Sequence, residues 1–333
     1  MGHSYARPLV QYGVARPEDA VPLAQGAGWF THVEVLRRGA AGQVIAAQAL
    51  AHEQLARLTA SHPMRHDTAR IMGIVNTTPD SFSDGGLHAA AQDAIEGGMG
   101  MARAGADILD IGGESTRPGA VTVEVDEEIA RTAPVIEGLR AAGFDGTISI
   151  DTRKAAVARA ALAAGADLVN DVSGFTYDPD LAGVAAKAGV PVCVMHGPVD
   201  PATMHLDPRY DDVVLDVYDF LAKRIEVLAA HGIARRQIIA DPGIGFAKTL
   251  EHNVVLLQRL SIFHSLGVPI LLGASRKRFI GTIGNAAEAR ARMPGSIAVA
   301  LAGLAQGVQI VRVHDVAETA QAIALWRASG AGS

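Results

Sequence analysis

The chain of 333 residues holds a single cysteine, Cys193, so no disulfide can close within it and no cysteine cluster can hold a structural zinc. A reducing compartment, the cytoplasm, is the expectation that follows. Aromatic residues are scarce at 5% while hydrophobic residues reach 49%, so the apolar content is mainly aliphatic. That suits a parallel sheet covered by helices on both faces. No long basic block accompanies the net charge of −6, which argues against nucleic-acid binding, although an acidic protein can still hold a local anion pocket. The opening MGHSYARPLVQYG lacks the charged-then-apolar order of a signal peptide. Nowhere do about 18 apolar residues run uninterrupted, as a membrane span requires. What remains is a soluble folded chain, either two domains or one barrel of about 250 residues with an appendage.

What is present is a rhythm. From about residue 70 onward a short aliphatic run, a Gly-rich or polar turn and an Ala-rich segment with helical spacing alternate. The runs are Ile71–Val75, Ile108–Ile111, Ile148–Ile150, Leu168–Val169, Val192–Val194, Ile238–Ala240, Ile270–Leu272 and Val308–Val313. Helical spacing marks His88–Ala104, Asp126–Ala142, Lys154–Ala164, Asp211–His231, Leu250–Leu266, Gly295–Gln306 and Ala317–Ala328. Gly105, Gly165, Gly189, Gly267 and Gly307 stand where a helix should end before the next strand. Eight βα units predict an α/β fold, a closed (β/α)8 TIM barrel over residues 70–330 with an N-terminal extension over 1–69; a doubly wound open sheet is the alternative.

Each run delivers polar groups at its carboxyl end: Asn76, Glu114 to Arg117, Asp151, Asn170 with Asp171, His196, Asp241, Ser275 to Lys277, and Arg312 with His314. In a closed barrel those ends share one face, where active sites form. An Asp or Asn there also caps a helix or holds a turn, but Lys277 and Arg312 cannot N-cap at all. Arg312 and His314, two apart on one strand, project to the same side.

The loops between carry recognisable wording. NTTPDSFSDGG at 76–86 contains one ring, Phe82; GGESTRPGA at 112–120 sets Thr116 and Arg117 beside Pro118; DPGIGFAKT at 241–249 sets a carboxylate against glycines. GASRKRFIG at 273–281 places three cations between glycines, which asks for an anion or an acidic partner nearby. Taken with ISIDTRK, GADLVNDVSG, VCVMH and VRVHDV, these strings resemble the dihydropteroate synthase family, the pterin-binding TIM barrels, in order and spacing over about residues 70–328.

The resemblance implies a transferase of folate biosynthesis that joins 6-hydroxymethyl-7,8-dihydropterin diphosphate to 4-aminobenzoate, releasing diphosphate and 7,8-dihydropteroate, with sulfonamides as mimics of the aminobenzoate. It implies pterin binding by Asp151, Asn170, Asp241, Lys277 and Arg312. Diphosphate falls to Asn76, Arg312 and His314, with Asn76 as the Mg2+ ligand and Mg2+ as the cofactor. Aminobenzoate falls to Thr116, Arg117, Pro118, Phe82, Phe246 and Ser275, and catalysis to Asp151, Arg117 and Lys277. Asp151 either stabilises a developing cation or simply hydrogen-bonds the pterin. The partners implied are small-molecule substrates and a second copy, as a homodimer. Arg278 departs from the family's small hydroxyl residue: either it pairs with the benzoate carboxylate or it points to solvent. The fifth loop departs as well, which leaves His196 and His205 without a role.

Two other functions are compatible with a pterin-reading barrel. A methyltransferase that passes a methyl group from a folate to a corrinoid protein needs no diphosphate clamp, so Arg312 and His314 count against it. A non-catalytic paralogue is the second, and the intact motifs count against that. Before the barrel, WFTHVEVLRR at 29–38 reads as a strand or hairpin and the stretch from Ala46 to Leu58 as an amphipathic helix, packed on the barrel's bottom or side.

Overall fold

In a computed structural model the described residues are 4–13, 15–61, 69–77, 86–115, 122–197 and 208–331. Five short strands come first: β1 (Tyr5–Pro8), β2 (Val21–Pro22), β3 (Trp29–Phe30), β4 (His32–Arg37) and β5 (Ala40–Ala46). β4 lies between β1 and β5, all antiparallel, and β2 pairs with β3. Phe30, Val33 and Leu58 are buried beneath this small sheet. The expected helix from Ala46 to Leu58 is interrupted: a 3-10 turn spans Ala47–Ala49, Ala51 is extended, and α1 (His52–Thr59) starts only after it.

The barrel strands are β6 (Arg70–Asn76), β7 (Ile108–Gly112), β8 (Thr147–Asp151), β9 (Leu168–Asp171), β10 (Val192–Met195), β11 (Ile238–Asp241), β12 (Leu271–Leu272) and β13 (Ile310–Val313). Every pairing among them is parallel, in the order β11-β10-β9-β8-β7-β6-β13-β12. A parallel bridge from Ala240 to Ile270, with Ala240 N–H donating to Pro269 O at 2.9 Å, joins the two ends. The sheet therefore closes, and the open doubly wound alternative is excluded. All eight aliphatic runs are strands, though the seventh begins at Leu271 rather than Ile270 and the last at Ile310 rather than Val308.

Around the barrel run α2 (Gly86–Arg103), α3 (Val125–Ala141), α4 (Ala155–Ala163), α5 (Leu181–Ala188), α6 (Val213–Ala230), α7 (Leu250–Gln258), α8 (Arg278–Ile283), α9 (Met293–Leu304) and α10 (Val316–Trp326). The helix expected over Leu250–Leu266 stops at Gln258, because Arg259 leaves helical geometry at φ −126°, and a 3-10 stretch Leu260–Leu266 follows. The five glycines expected to end helices all have positive φ, from 69° to 111°. Only glycine takes that conformation without strain. No described helix is long and apolar enough to cross a membrane.

Strand alternation places the site. Met72, Ile108, Leu168, Cys193, Ile239, Leu271 and Ile310 fill the lower interior of the barrel, each at most 1% exposed. Burying each larger aliphatic of this floor is worth about 1.5–3 kcal/mol. With a side-chain period of two, the next inward positions along the same strands are Ile74, Asp110, Asn170, Met195, Asp241, Gly273 and Arg312, polar or open at all but Ile74 and Met195. A polar layer thus sits on an apolar floor at the carboxyl ends.

The extension lies away from those ends. Tyr5 Oη donates to Asp219 Oδ2 at 2.9 Å, and Arg38 donates to Asp216 and Asp219 at 2.6 and 2.7 Å, all on α6. Leu23 approaches Gly307 and Arg57 approaches Gly267, the turns that lead into β13 and β12. The extension therefore meets the bottom of the barrel and one flank.

Candidate active site

The centre of the polar layer is a buried ionic cluster. Arg312 Nη2 donates to Asp151 Oδ2 at 2.7 Å and Nε to Asp110 Oδ2 at 2.5 Å, while Asn170 Nδ2 donates to the same Asp110 oxygen at 3.1 Å. Asp110, Asp151 and Asn170 are 0%, 8% and 5% exposed, so the groups around the half-buried Arg312 are shielded from solvent and each missing partner would be costly. Burial pushes the Asp151 carboxyl up to about 7, the Arg312 guanidinium opposes the rise, and Asp110, Asp171 and Glu128 add to it. Asp171, next to Asn170, holds a turn instead: its carboxylate accepts from Ser173 N–H, Ser173 Oγ–H and Phe175 N–H. Here the capping reading and the site reading apply to adjacent residues.

Asp241 does both. Its Oδ1 accepts from Gly243 N–H at 2.7 Å, an Asx-type turn, and burial lifts its carboxyl to about 6 while Lys277 and Arg312 pull it down. A Cβ on Gly273 would lie 3.3 Å from Asp241 Oδ2 and 4.0 Å from Arg312 Cβ, so the residue that follows β12 leaves this space open. Lys277 reaches the same space, its Nζ 3.8 Å from the centroid of Phe246 in a cation–π contact. Burial lowers its ammonium to about 8, with Arg312 acting in the same direction and Asp241 and Asp151 against it.

Loop six is fixed from beneath by Lys248, which donates to the carbonyls of Gly243 and Phe246, each at 2.9 Å, and hydrogen-bonds His196 Nδ1 at 2.9 Å. No carboxylate meets this buried ammonium among the described residues, and burial lowers it to about 7. His196 N–H in turn donates to Asp241 O at 3.0 Å, and its ring lies edge-on to Phe220 at 4.9 Å. Burial and Lys248 hold the imidazole down at about 3, so it stays neutral. His196 therefore braces loops five and six.

At the rim, Ser275 Oγ accepts from His314 N–H at 3.2 Å and hydrogen-bonds His314 Nδ1 at 3.0 Å. The hydroxyl expected at the aminobenzoate is thus engaged with the residue expected at the diphosphate. Burial, Arg276 and Arg312 lower the His314 ring to about 4. The three cations of the seventh loop separate: Arg276 forms a two-nitrogen ion pair with Asp315, Lys277 turns inward, and Arg278 is exposed at the start of α8. Asp315 is the acidic partner that the charge run asked for.

Asn76 ends β6, exposed and in register with Gly112, whose own register partner is Asp151. Among the described residues no cluster of three or more His, Cys, Asp or Glu side chains is placed to hold a metal. A single neutral oxygen suits Mg2+ only when most of its shell comes from water and substrate phosphate, which is how that ion usually binds. The donor set fits Mg2+ on those terms.

Phe82, Thr116, Arg117, Pro118 and His205 lie outside the described residues. The base of the second loop is described. Glu114 accepts from Arg153 Nε at 2.8 Å, Lys154 Nζ at 2.7 Å and Val123 N–H at 2.8 Å, so one carboxylate ties the two ends of the loop together. Lys154 also pairs with Glu128, whose other oxygen accepts from Thr152 Oγ1 at 2.7 Å. Burial pushes the Glu114 carboxyl up, but its own hydrogen bonds from Lys154, Val123 N–H and Arg153 together outweigh it and hold the group below its ordinary range. Within ISIDTRK, Asp151 faces the pocket while the three residues after it anchor a neighbouring loop. Asp110 and Lys248 are functional residues that the sequence analysis does not single out: Asp110 stands inside the aliphatic run Ile108–Ile111, where its inward phase on β7 is the available signal, and Lys248 inside DPGIGFAKT, where nothing local marks it.

The chain matches the family model "Pterin binding enzyme" over residues 72–314. It is 48% identical over 261 residues to a dihydropteroate synthase of Synechocystis, covering 77% of this chain and 90% of that protein. Among solved structures, it is similar to Xanthomonas albilineans dihydropteroate synthase with 4-aminobenzoic acid, at TM-score 0.74 and 46% identity, over 79% of this chain and 93% of that one. It is similar also to the Yersinia pestis dihydropteroate synthase in a sulfonamide drug complex, at TM-score 0.74 and 45% identity, over 79% and 94%.

Proposed function

The chain belongs to the pterin-binding enzyme family, among its dihydropteroate synthases, and from this premise we propose how its barrel mouth joins 6-hydroxymethyl-7,8-dihydropterin diphosphate to 4-aminobenzoate. The observation that carries the reading is that Asp241, Asn170, Lys277 and Arg312, drawn from four different strand ends, converge on one pocket over an apolar floor. A pterin edge offers an amino group and an N3–H side by side, which the Asp241 carboxylate accepts in parallel. Asn170 serves the remaining ring edge, and the Lys277 ammonium serves the O4 and N5 acceptors.

The reaction is displacement at the exocyclic methylene carbon, in which the bond to diphosphate breaks ahead of amine attack. Arg312 is already oriented by two carboxylates, so it can meet the departing charge without reorganising. His314 stands two residues on, at the same rim. Asn76 is the residue that would hold Mg2+, and the ion would supply further neutralisation of the leaving group. Asp151 lies beside the cation that develops on the pterin, either stabilising it or holding the ring. We assign the aminobenzoate to Thr116, Arg117, Pro118, Phe82, Phe246 and Ser275, with the first two loops excluding water from a cation that water would hydrolyse. Catalysis is assigned to Asp151, Arg117 and Lys277. Competition between sulfonamides and 4-aminobenzoate, a homodimeric state and a cytoplasmic location belong to the same proposal.

Incubation of the purified chain with the pterin diphosphate, 4-aminobenzoate and Mg2+ tests it. Dihydropteroate and diphosphate are expected in equal amounts; no product from intact substrates would refute the reading.

A further inference from the structure

Asp110 lies on β7, fully buried, with a role that no motif assigns to it. Its Oδ2 receives Arg312 Nε at 2.5 Å and Asn170 Nδ2 at 3.1 Å, whereas Oδ1 has no hydrogen-bond partner among the described residues. One oxygen thus serves two donors that come from β13 and β9. A carboxylate only accepts, so the Asn170 amide must turn its NH2 toward Asp110 and its carbonyl oxygen elsewhere. The guanidinium is likewise fixed, with Nε on Asp110 and Nη2 on Asp151. Nη1 is left without a hydrogen bond among the described residues.

We propose that Asp110 is the positioning residue of pterin recognition: a single buried carboxylate oxygen sets which end of the Asn170 amide faces the ligand and, together with Asp151, which edge of the Arg312 guanidinium does. The proposal rests on the substrates assigned above. Without this anchor the Asn170 amide has two orientations of similar energy and the arginine a larger set of rotamers. Fixing both before the ligand arrives removes an ordering cost from binding.

Three variants of the full-length chain test it. Asp110→Ala removes the acceptor, and KM for the dihydropterin diphosphate is expected to rise about thirtyfold, as for loss of one or two charge-assisted hydrogen bonds, while KM for 4-aminobenzoate moves less than about threefold. Asp110→Leu repeats the measurement at a similar side-chain volume if the alanine variant does not fold. Asp110→Asn keeps an oxygen where Oδ2 stands, because only that end of an amide accepts from Arg312 and Asn170, so its rise is expected to be about threefold. A charge role would make Asp110→Asn as damaging as Asp110→Ala. A purely structural role would lower Tm and move both KM values together, and either result overturns the proposal. If neither Asp110→Ala nor Asp110→Leu folds, Asp110→Asn decides: a rise in the pterin KM beyond about tenfold overturns the proposal, and a smaller one supports it. Failure of the wild-type chain to form product would instead strike the assigned substrates, so the two failures are read from different proteins.

Discussion

Asp241 shows how much one residue is asked to do. Its Oδ1 holds the turn at Gly243, and the carboxylate still faces the open space beside Gly273 and Lys277. Burial holds it at about 6, well above its ordinary range. Since a pterin presents donors, only the ionised carboxylate accepts both, and affinity should fall as pH drops through about 6. The pterin alcohol, which has no diphosphate to titrate, is the right probe: calorimetry should show up to tenfold weaker binding per unit below that point. A flat profile between pH 5 and 7.5 would remove Asp241 from ring recognition. At this scale the sequence was legible where a residue type stands out, as Lys277 and Arg312 do at strand ends. It was not legible where the same letter serves two purposes, as in Asn170-Asp171, or where a buried charge looks like an ordinary strand residue, as at Asp110.

Among elements, loop six is the clearest case of a segment built from both sides. Gly243 has φ +68°, and a Cβ there would lie 1.9 Å from His196 O. Loops five and six therefore touch through their backbones, and Lys248 fastens the contact from below. Gly243→Ala should displace the loop and carry Asp241 and Phe246 with it. The expected outcome is a Tm lower by several degrees, with about 3 kcal/mol lost as at other incompatible backbone sites, and a pterin KM raised at least tenfold. Thermal unfolding and steady-state kinetics on one preparation would check both, and an unchanged Tm would contradict the contact. Strands and long helices could be read from aliphatic runs and helical period. The eight-residue α5 and six-residue α8 are too short to show a period, and the break at Arg259 has no proline or glycine to announce it.

Across the whole molecule, the neutral-pH pocket holds charges that the fold does not favour. Lys277 and Lys248 sit at about 8 and about 7, whereas an unfolded lysine titrates near ~10.4. Between pH 7 and 8.5 the folded chain thus binds fewer protons than the unfolded one, so stability should rise with pH across that window. Below about 6.5 no such slope is expected. Asp151, Asp171 and Asp241 are raised and favour lower pH, while His196 and His314 are lowered and favour higher pH, so they oppose each other. Scanning calorimetry of the ligand-free protein should find a higher Tm at pH 8.5 than at 7; a fall would contradict the burial of these two ammonium groups. The closed barrel followed from counting eight runs. The manner in which the extension docks did not, since Tyr5 and Arg38 on Asp216 and Asp219 are contacts across more than 170 positions that no local pattern encodes.

On the proposed function, side chains from several strand ends form one pterin-reading mouth that carries out the condensation. Dihydropteroate formation by the wild-type chain and by Asp241→Asn, measured side by side at varied pterin diphosphate, tests it most directly. The wild type should turn over, and the variant, folded and with similar Tm, should lose at least about a hundredfold in kcat/KM for the pterin, as for a buried ligand-facing charge. Turnover by Asp241→Asn at the wild-type rate would contradict the account.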